Sequence, residues 1–312
     1  MPFWRRRMRV VFMGTPEYAT TILKALLAWE GCEVVGVFTQ PDKPAGRALE
    51  LRPSHVKAFV QTLASPVALF QPTTLKDPQT QTLLTALAPD AIVVAAYGQL
   101  LPKAVLDIAP CINLHASLLP KYRGASPIQA SIMAGDSFTG VTAMAMDEGL
   151  DTGAMLGFTY LALTSTMQAD EVFEALAQKA ARLSVAVLGR LNKLLPLPQQ
   201  GACASYAPKI SKAEGLVDFK GASVAMMRRF NALSPWPGLF LESGLKLLHV
   251  ELVSASRTFT PGEILLVDED GAVVGCGQGM VRVVRVQAPS KKPLHVKEYL
   301  AGKRMGVGAL LF

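Results

Sequence analysis

The amino-acid sequence predicts an α/β protein: an open parallel sheet of Rossmann type followed by a small β-barrel or sandwich. Three observations carry that expectation. In the first half, short apolar runs alternate with helical patterns, the order in which strands and crossover helices build a parallel sheet. The segment Leu195-Pro-Leu-Pro-Gln-Gln-Gly-Ala202 then breaks all periodicity, as linkers do. Beyond it, five short β-like runs fall within about 75 residues, the spacing of a small all-β unit.

The first strands are expected at Arg9–Met13, Glu33–Thr39, Val67–Phe70, Asp90–Ala95 and Cys111–Leu114, with helices at Tyr18–Trp29, Val56–Leu63 and Pro78–Leu87. The run Ala91-Ile-Val-Val-Ala-Ala96 is apolar throughout, which suits a strand covered on both faces. A sheet of this kind binds its ligand at the carboxyl ends of the strands. Strands at Thr139–Met146 and Ala154–Leu161 precede a long helix from Ala169 to about Leu195. That helix opens on acidic residues, as its dipole favours. In the last third, a helix is expected at Ala222–Ala232 and strands at Gly238–Leu241, Lys246–Val253, Glu263–Val267, Ala272–Cys276 and Met280–Gln287. The division that follows is residues 1–194, a linker at 195–208, and residues 209–312.

Half of the 312 residues are apolar and 18% are charged, the composition of a packed globular protein. No apolar run is long enough to span a bilayer. The basic start, Met1-Pro-Phe-Trp-Arg-Arg-Arg7, lacks a following long apolar stretch and a cleavage site, so residues 1–7 read either as an extension ahead of Met8 or as a misassigned start. The four cysteines, Cys32, Cys111, Cys203 and Cys276, form no CxxC pair and read as reduced thiols of a cytoplasmic protein. Of the net +7, residues from Lys209 onward carry 14 Lys+Arg against 9 Asp+Glu, a net +5. A basic excess so placed suits a polyanionic partner, since each cation near a phosphate adds affinity through counterion release. A solvated basic face without a partner fits the charge equally well.

Three motifs common in such sheets are absent. The turn after the first strand, Gly14-Thr15-Pro16, is no GxGxxG, because Pro16 lacks a donor where a pyrophosphate needs one. Neither GxxxxGK[ST] nor GxSxG occurs, which removes the P-loop and the nucleophile elbow. None of His55, His115, His249 and His295 has a ligand neighbour at metal spacing, so no metal site is expected.

The segment Cys111-Ile-Asn-Leu-His-Ala-Ser-Leu-Leu-Pro120 remains. Period-two alternation puts Asn113 and His115 on one side of a strand, at the end that faces the crevice. An amide and an imidazole aimed together make an oxyanion and proton-transfer pair. The later acidic loop Met146-Asp-Glu-Gly-Leu-Asp-Thr-Gly153 offers Asp147, Glu148 or Asp151 as a partner for the imidazole. Residue types and spacing alone leave a structural histidine and a solvated turn equally open.

These residues resemble the folate-dependent formyltransferases over nearly the whole chain from Met8. The resemblance runs through Phe12-Met-Gly-Thr-Pro-Glu17, Val37-Phe-Thr-Gln-Pro-Asp-Lys-Pro-Ala-Gly-Arg47, Ala96-Tyr-Gly98, Leu101-Pro102, Asn113–Pro120, Arg123-Gly124 and Gly149-Leu-Asp-Thr-Gly153. It continues in Tyr206-Ala-Pro-Lys-Ile-Ser211 and Pro235-Trp-Pro237. The Asn–His–SLLP segment with LDTG marks formyl transfer in general. The PAGR loop with YAxKI and PWP is more specific, for the members that act on a charged tRNA.

The resemblance implies a formyltransferase domain at 1–194 and an oligonucleotide-binding type barrel at 209–312. It implies Asn113, His115 and Asp151 as catalytic residues, with 10-formyltetrahydrofolate as formyl donor and no metal. Ser117, Leu118, Leu119 and Pro120 would lie along the folate, and Tyr97, Gly98, Leu101 and Pro102 would line the pterin pocket. The implied acceptor is initiator methionyl-tRNA, met by Lys43, Arg47 and Arg52 of the exposed loop and by Lys209, Lys291, Lys292 and Arg304 of the second domain. Many relatives follow Arg47 with a glycine and two basic residues, whereas this chain has Ala48-Leu49-Glu50. An amino sugar nucleotide is the alternative acceptor. The implied chemistry is direct attack of a neutral α-amine, whose free pKa is ~7.7–8.0, through a tetrahedral intermediate. Asn113 and His115 would stabilise the oxyanion, and Asp151 would orient the imidazole. The chain reads as a monomer.

Overall fold

The computed structural model describes residues 6–45 and 50–312. Arg47 lies outside the described residues. The chain forms two compact units. One holds the described residues up to Pro127 together with 138–162 and 173–207; the other holds 128–137, 163–172 and 208–312.

The chain begins with β1 (Met8–Gly14), α1 (Glu17–Ala28), β2 (Cys32–Phe38), β3 (Lys43–Ala45), β4 (Glu50–Arg52), α2 (His55–Val60) and β5 (Leu69–Phe70). It continues through α3 (Pro78–Ala86), β6 (Ala91–Ala95), α4 (Lys103–Leu106), β7 (Cys111–His115), β8 (Arg123–Gly124), α5 (Pro127–Ala134), β9 (Phe138–Ala145), β10 (Met155–Ala162) and α6 (Ala169–Leu188). After β11 (Tyr206–Ala207) come α7 (Ser223–Leu233), β12 (Leu239–Phe240), β13 (Lys246–Ser254), β14 (Ile264–Val267), β15 (Ala272–Gly275), β16 (Met280–Gln287), β17 (Leu294–His295) and α8 (Val296–Lys303).

The first unit is built on one seven-stranded sheet in the order β10-β9-β7-β6-β1-β2-β5. Strands β7, β6, β1, β2 and β5 are parallel neighbours. Val11 and Met13 of β1 pack with Ile92, Val94, Leu84 and Val105, while the alternate residues Val10 and Phe12 are also fully buried. Both faces of β1 are therefore covered, which explains its apolar run from Val10 to Met13. Beside these parallel strands, β9 runs antiparallel to β7 and β10 antiparallel to β9. Parallel neighbours need a crossover of a dozen or more residues, and only residues 146–154 join β9 to β10.

The second unit carries a six-stranded antiparallel sheet, β12-β13-β16-β15-β14 with β17 on β16. Register shifts interrupt β13 at three points, and bulges of this kind bend a sheet toward a small barrel. Phe219, Phe230, Leu233, Leu247, Val250, Val281 and Leu300 form its core with neighbouring aliphatics. Among the described residues no helix is long and apolar enough to cross a membrane.

Several elements depart from expectation. The helix expected to reach about Leu195 stops at Leu188, where Gly189 follows and a single 3-10 turn takes over at Leu191–Lys193. The strand Val67–Phe70 shrinks to Leu69–Phe70. The loop 40–52 contains the hairpin β3–β4, in which Lys43 and Arg52 are paired opposite each other. Helices α4, α5 and α8 and strand β17 are too short to build a clear period.

Candidate active site

Strand β7 is held between parallel β6, where Val94 pairs with Asn113, and antiparallel β9, where Thr142 pairs with His115. Asn113 and His115 lie two residues apart on this strand, and both meet Asp151. Asn113 Nδ2 donates to Asp151 Oδ1 at 3.3 Å. His115 Nδ1 stands 3.6 Å from Asp151 Oδ2. His115 and Asp151 are 6% and 11% exposed, so this polar cluster sits largely out of water, where its interactions are strengthened.

The acidic loop delivers Asp151 because Asp147 has another task. Asp147 Oδ1 accepts the Gly149 amide at 3.0 Å and the Thr152 hydroxyl at 2.6 Å, folding the loop on itself. Glu148 is exposed. Asp151 takes φ +53°, in the left-handed region that few non-glycine residues occupy, a conformation costing ~1–3 kcal/mol that persists where the surroundings enforce it. Gly153 closes the loop against the sheet: a Cβ there would stand 1.7 Å from the Ala145 carbonyl.

A second set of residues fixes this arrangement, and sequence reasoning missed its key member. Gly124 N donates to Asp151 Oδ2 at 2.8 Å. Gln199 Nε2 donates to the Asp151 and Gly153 carbonyls at 2.9 and 2.7 Å, and Gln199 Oε1 accepts from Arg123 Nη2 and Nε at 2.8 and 3.1 Å. Arg123 is 6% exposed, so its charge depends on that acceptor. The supposed linker, up to Ala207, is thus tied to the first unit. Leu197 bridges Met155, β11 pairs in parallel with β8, and Ser205 Oγ accepts the Tyr122 amide at 2.9 Å. The two prolines are exposed while Gln199 between exposed neighbours is half-buried; composition alone registers the prolines.

The imidazole is anchored at its other nitrogen by the Tyr122 carbonyl, 2.9 Å from Nε2. Both ring nitrogens thus face oxygens, and a neutral ring can donate to one of them only. Asn113, which gives one amide hydrogen to Asp151, keeps a second for a ligand. Ser117 is fully buried and its hydroxyl donates to the Lys121 carbonyl at 2.6 Å, so it shapes the turn instead of facing outward. Leu119 N donates to Thr142 Oγ1 and Thr142 Oγ1 donates to the Ser117 carbonyl, pinning the turn to β9. Leu119 is buried, Leu118 and Pro120 half-buried.

Residues 97–102 follow the end of β6. Tyr97 and Leu101 are buried in the apolar cluster, Pro102 is half-buried and precedes α4, and Gly98 has φ +82°. The Tyr97 hydroxyl and Gln40 Nε2 are buried without a hydrogen-bond partner among the described residues. Burial pushes the Tyr97 phenol well above its ordinary range, keeping it a neutral donor.

At the base of the 40–52 loop, Asp42 accepts from Lys57 at 2.7 Å and from Gln71 at 2.8 Å. Those two bonds hold its carboxyl below the usual range. Lys43 and Arg52 are exposed on the hairpin. In the second unit Lys209, Lys291, Lys292 and Arg304 are exposed, at its start, in the β16–β17 connection and at the end of α8. Two cations of the second unit are engaged: Arg282 pairs with Asp268 and Lys297 with Glu269. Among the described residues no three metal-ligating side chains gather.

A parallel sheet with an Asn–His–Asp cluster at its strand ends, joined to a small antiparallel unit, defines a class. Residues 8–188 match the formyl transferase model and residues 209–304 the formyl transferase C-terminal domain, and the chain belongs to the formyl transferase family. It is 52% identical, over 98% of its length and all of the relative's, to the methionyl-tRNA formyltransferase of Wolinella succinogenes. The methionyl-tRNA formyltransferase of Nitratiruptor sp. is 50% identical over the same shares. Among solved structures, an N-formyltransferase from Helicobacter canadensis, in complex with folinic acid and dTDP-3-aminofucose, aligns with a TM-score of 0.64 at 15% identity over 88% of this chain and 98% of its own. HypX from Aquifex aeolicus in complex with tetrahydrofolic acid aligns with a TM-score of 0.63 at 15% identity over 96% of this chain. This chain spans 48% of HypX. At such identities the likeness concerns the fold alone.

Proposed function

We propose that this chain transfers the formyl group of 10-formyltetrahydrofolate to the α-amino group of initiator methionyl-tRNA, as a cytoplasmic monomer serving translation initiation. The observation that carries this reading is full-length identity of about half to methionyl-tRNA formyltransferases, on a chain whose Asn113, His115 and Asp151 converge. Residues 1–194 form the catalytic domain, completed by the segment up to Ala207, and residues 209–312 the tRNA-binding domain.

The donor supplies an activated formyl carbon on N10. Two buried donors without partners, Tyr97 Oη and Gln40 Nε2, follow the ends of β6 and β2, where such a sheet takes its ligand. They suit a heterocycle rich in carbonyl and ring-nitrogen acceptors, and Gly98, Leu101, Pro102 and the Leu118–Pro120 turn supply apolar walls. Ser117 contributes by holding that turn.

In the transfer, the neutral amine attacks the formyl carbon, the C–N bond forms and the carbonyl electrons move to oxygen. The free hydrogen of the Asn113 amide stabilises that oxyanion. Orientation of His115 comes from Tyr122 and Asp151. The His115–Asp151 pair takes the proton the amine loses, and the bond to N10 breaks as N10 is protonated. The assay offers charged initiator tRNA and an amino sugar nucleotide separately, each with 10-formyltetrahydrofolate. Formylation of the tRNA alone is expected; formylation of the sugar alone overturns the acceptor assignment.

A further inference from the structure

We infer that Gln199 is a positioning residue of the transfer reaction, acting through the backbone of the Asp151 loop. The inference rests on the reading of Asp151 and His115 as catalytic.

The side chain of Gln199 uses its full hydrogen-bonding capacity on the site. Its amide group has two hydrogens and an oxygen with two lone pairs. The hydrogens go to the carbonyls of Asp151 and Gly153, and the oxygen accepts two bonds from Arg123. None of these bonds touches the Asp151 carboxylate. The carboxylate is left to Asn113, Gly124 and His115, while the main chain that carries it is clamped from the other side.

That main chain needs a clamp. Asp151 is held at φ +53°, between glycines at 149 and 153. Relaxation toward an ordinary conformation would swing the carboxylate away from the imidazole. Two donations onto carbonyls on either side of Thr152 fix the turn at the residue concerned and at its exit. Arg123 transmits the same constraint, since Gly124, next in sequence, donates to the carboxylate. The clamp comes from the segment that follows α6, so the catalytic carboxylate is set by a part of the chain that carries no catalytic group.

Two near-isosteric variants separate this role from mere support of Arg123. Gln199→Glu keeps two acceptors for Arg123 and loses both donations to the loop. Gln199→Met keeps the length and loses all four bonds. The readouts are kcat, KM for 10-formyltetrahydrofolate with charged initiator tRNA as acceptor, and Tm, with His115→Ala run alongside. Displacement of a reacting group by about 1 Å can cost ~10²-fold, so both variants are expected to lose about tenfold or more in kcat, with KM within about twofold. A Gln199→Glu variant with wild-type kcat overturns the inference, leaving Gln199 as an anchor for Arg123. So does a rise in KM at unchanged kcat. If Gln199→Met does not fold, Gln199→Glu, which retains the Arg123 bonds, carries the test alone. Should His115→Ala itself transfer formyl at the wild-type rate, the reading of the site fails first; an inactive His115→Ala beside wild-type Gln199 variants defeats this inference only.

Discussion

The Gly124 amide holds Asp151 Oδ2 at 2.8 Å, and that same oxygen stands 3.6 Å from His115 Nδ1. A backbone donor thus fixes the carboxylate that meets the imidazole. Gly124 has φ +114°, and a Cβ there would lie 2.6 Å from the Ala207 carbonyl. Gly124→Ala should therefore push β8 from β11 and drag the carboxylate with it. We expect loss of activity with a lowered Tm, read by steady-state transfer and thermal unfolding; unchanged activity would mean that the Gly124 bond is dispensable.

Asn113→Ala removes the amide whose second hydrogen is proposed to meet the oxyanion. Loss of one such donor costs ~2.7–4 kcal/mol in the barrier, or about 10²–10³ in kcat. Folate affinity, measured by fluorescence or calorimetry, should stay near the wild-type value. A weakened KM at full kcat would assign Asn113 to ground-state binding instead.

The thiols differ in environment. Cys32, Cys111 and Cys276 are buried, and burial pushes them up to about 11, 12 and 11, whereas Cys203 is exposed. A raised thiol value means that the reactive thiolate is scarce until the pH climbs toward it. At pH 8 a disulfide reagent should therefore label Cys203 alone in the folded protein and all four in denaturant. Labelling of Cys111 under native conditions would contradict the buried β7.

Much of the site is legible in the sequence because strand periodicity is a local property. Alternation alone sends Asn113 and His115 to one side of β7, and topology sends that end of the strand to the crevice. The choice among Asp147, Glu148 and Asp151 is not legible in this way, since it depends on Asp147 being consumed by Thr152 and Gly149. Gln199 is hidden for a similar reason: its neighbours read as linker, and a hydrogen bond to a distant backbone leaves no pattern in composition. Strands β9 and β10 were legible as strands, but not their antiparallel direction, because period and hydrophobicity carry no strand direction. The basic excess from Lys209 onward was legible as charge, yet Arg282 and Lys297 pair with Asp268 and Glu269.

The proposed tRNA contacts of the second unit include the exposed Lys291 and Lys292. Lys291→Ala with Lys292→Ala should weaken tRNA binding and flatten its salt dependence by ~0.7–0.9 in log–log slope for each phosphate no longer neutralised. Filter binding across a salt series measures this. The same slope in the variant would remove both lysines from the interface.

Formyl transfer is proposed to run through the His115–Asp151 pair. Single-turnover transfer from 10-formyltetrahydrofolate to charged initiator tRNA, with His115→Ala and Asp151→Ala, tests it most directly. Both variants should remain folded and bind the folate, and both should lose on the order of 10²–10⁴ in rate. Near-wild-type single-turnover rates in either one would remove the His115–Asp151 pair from the reaction.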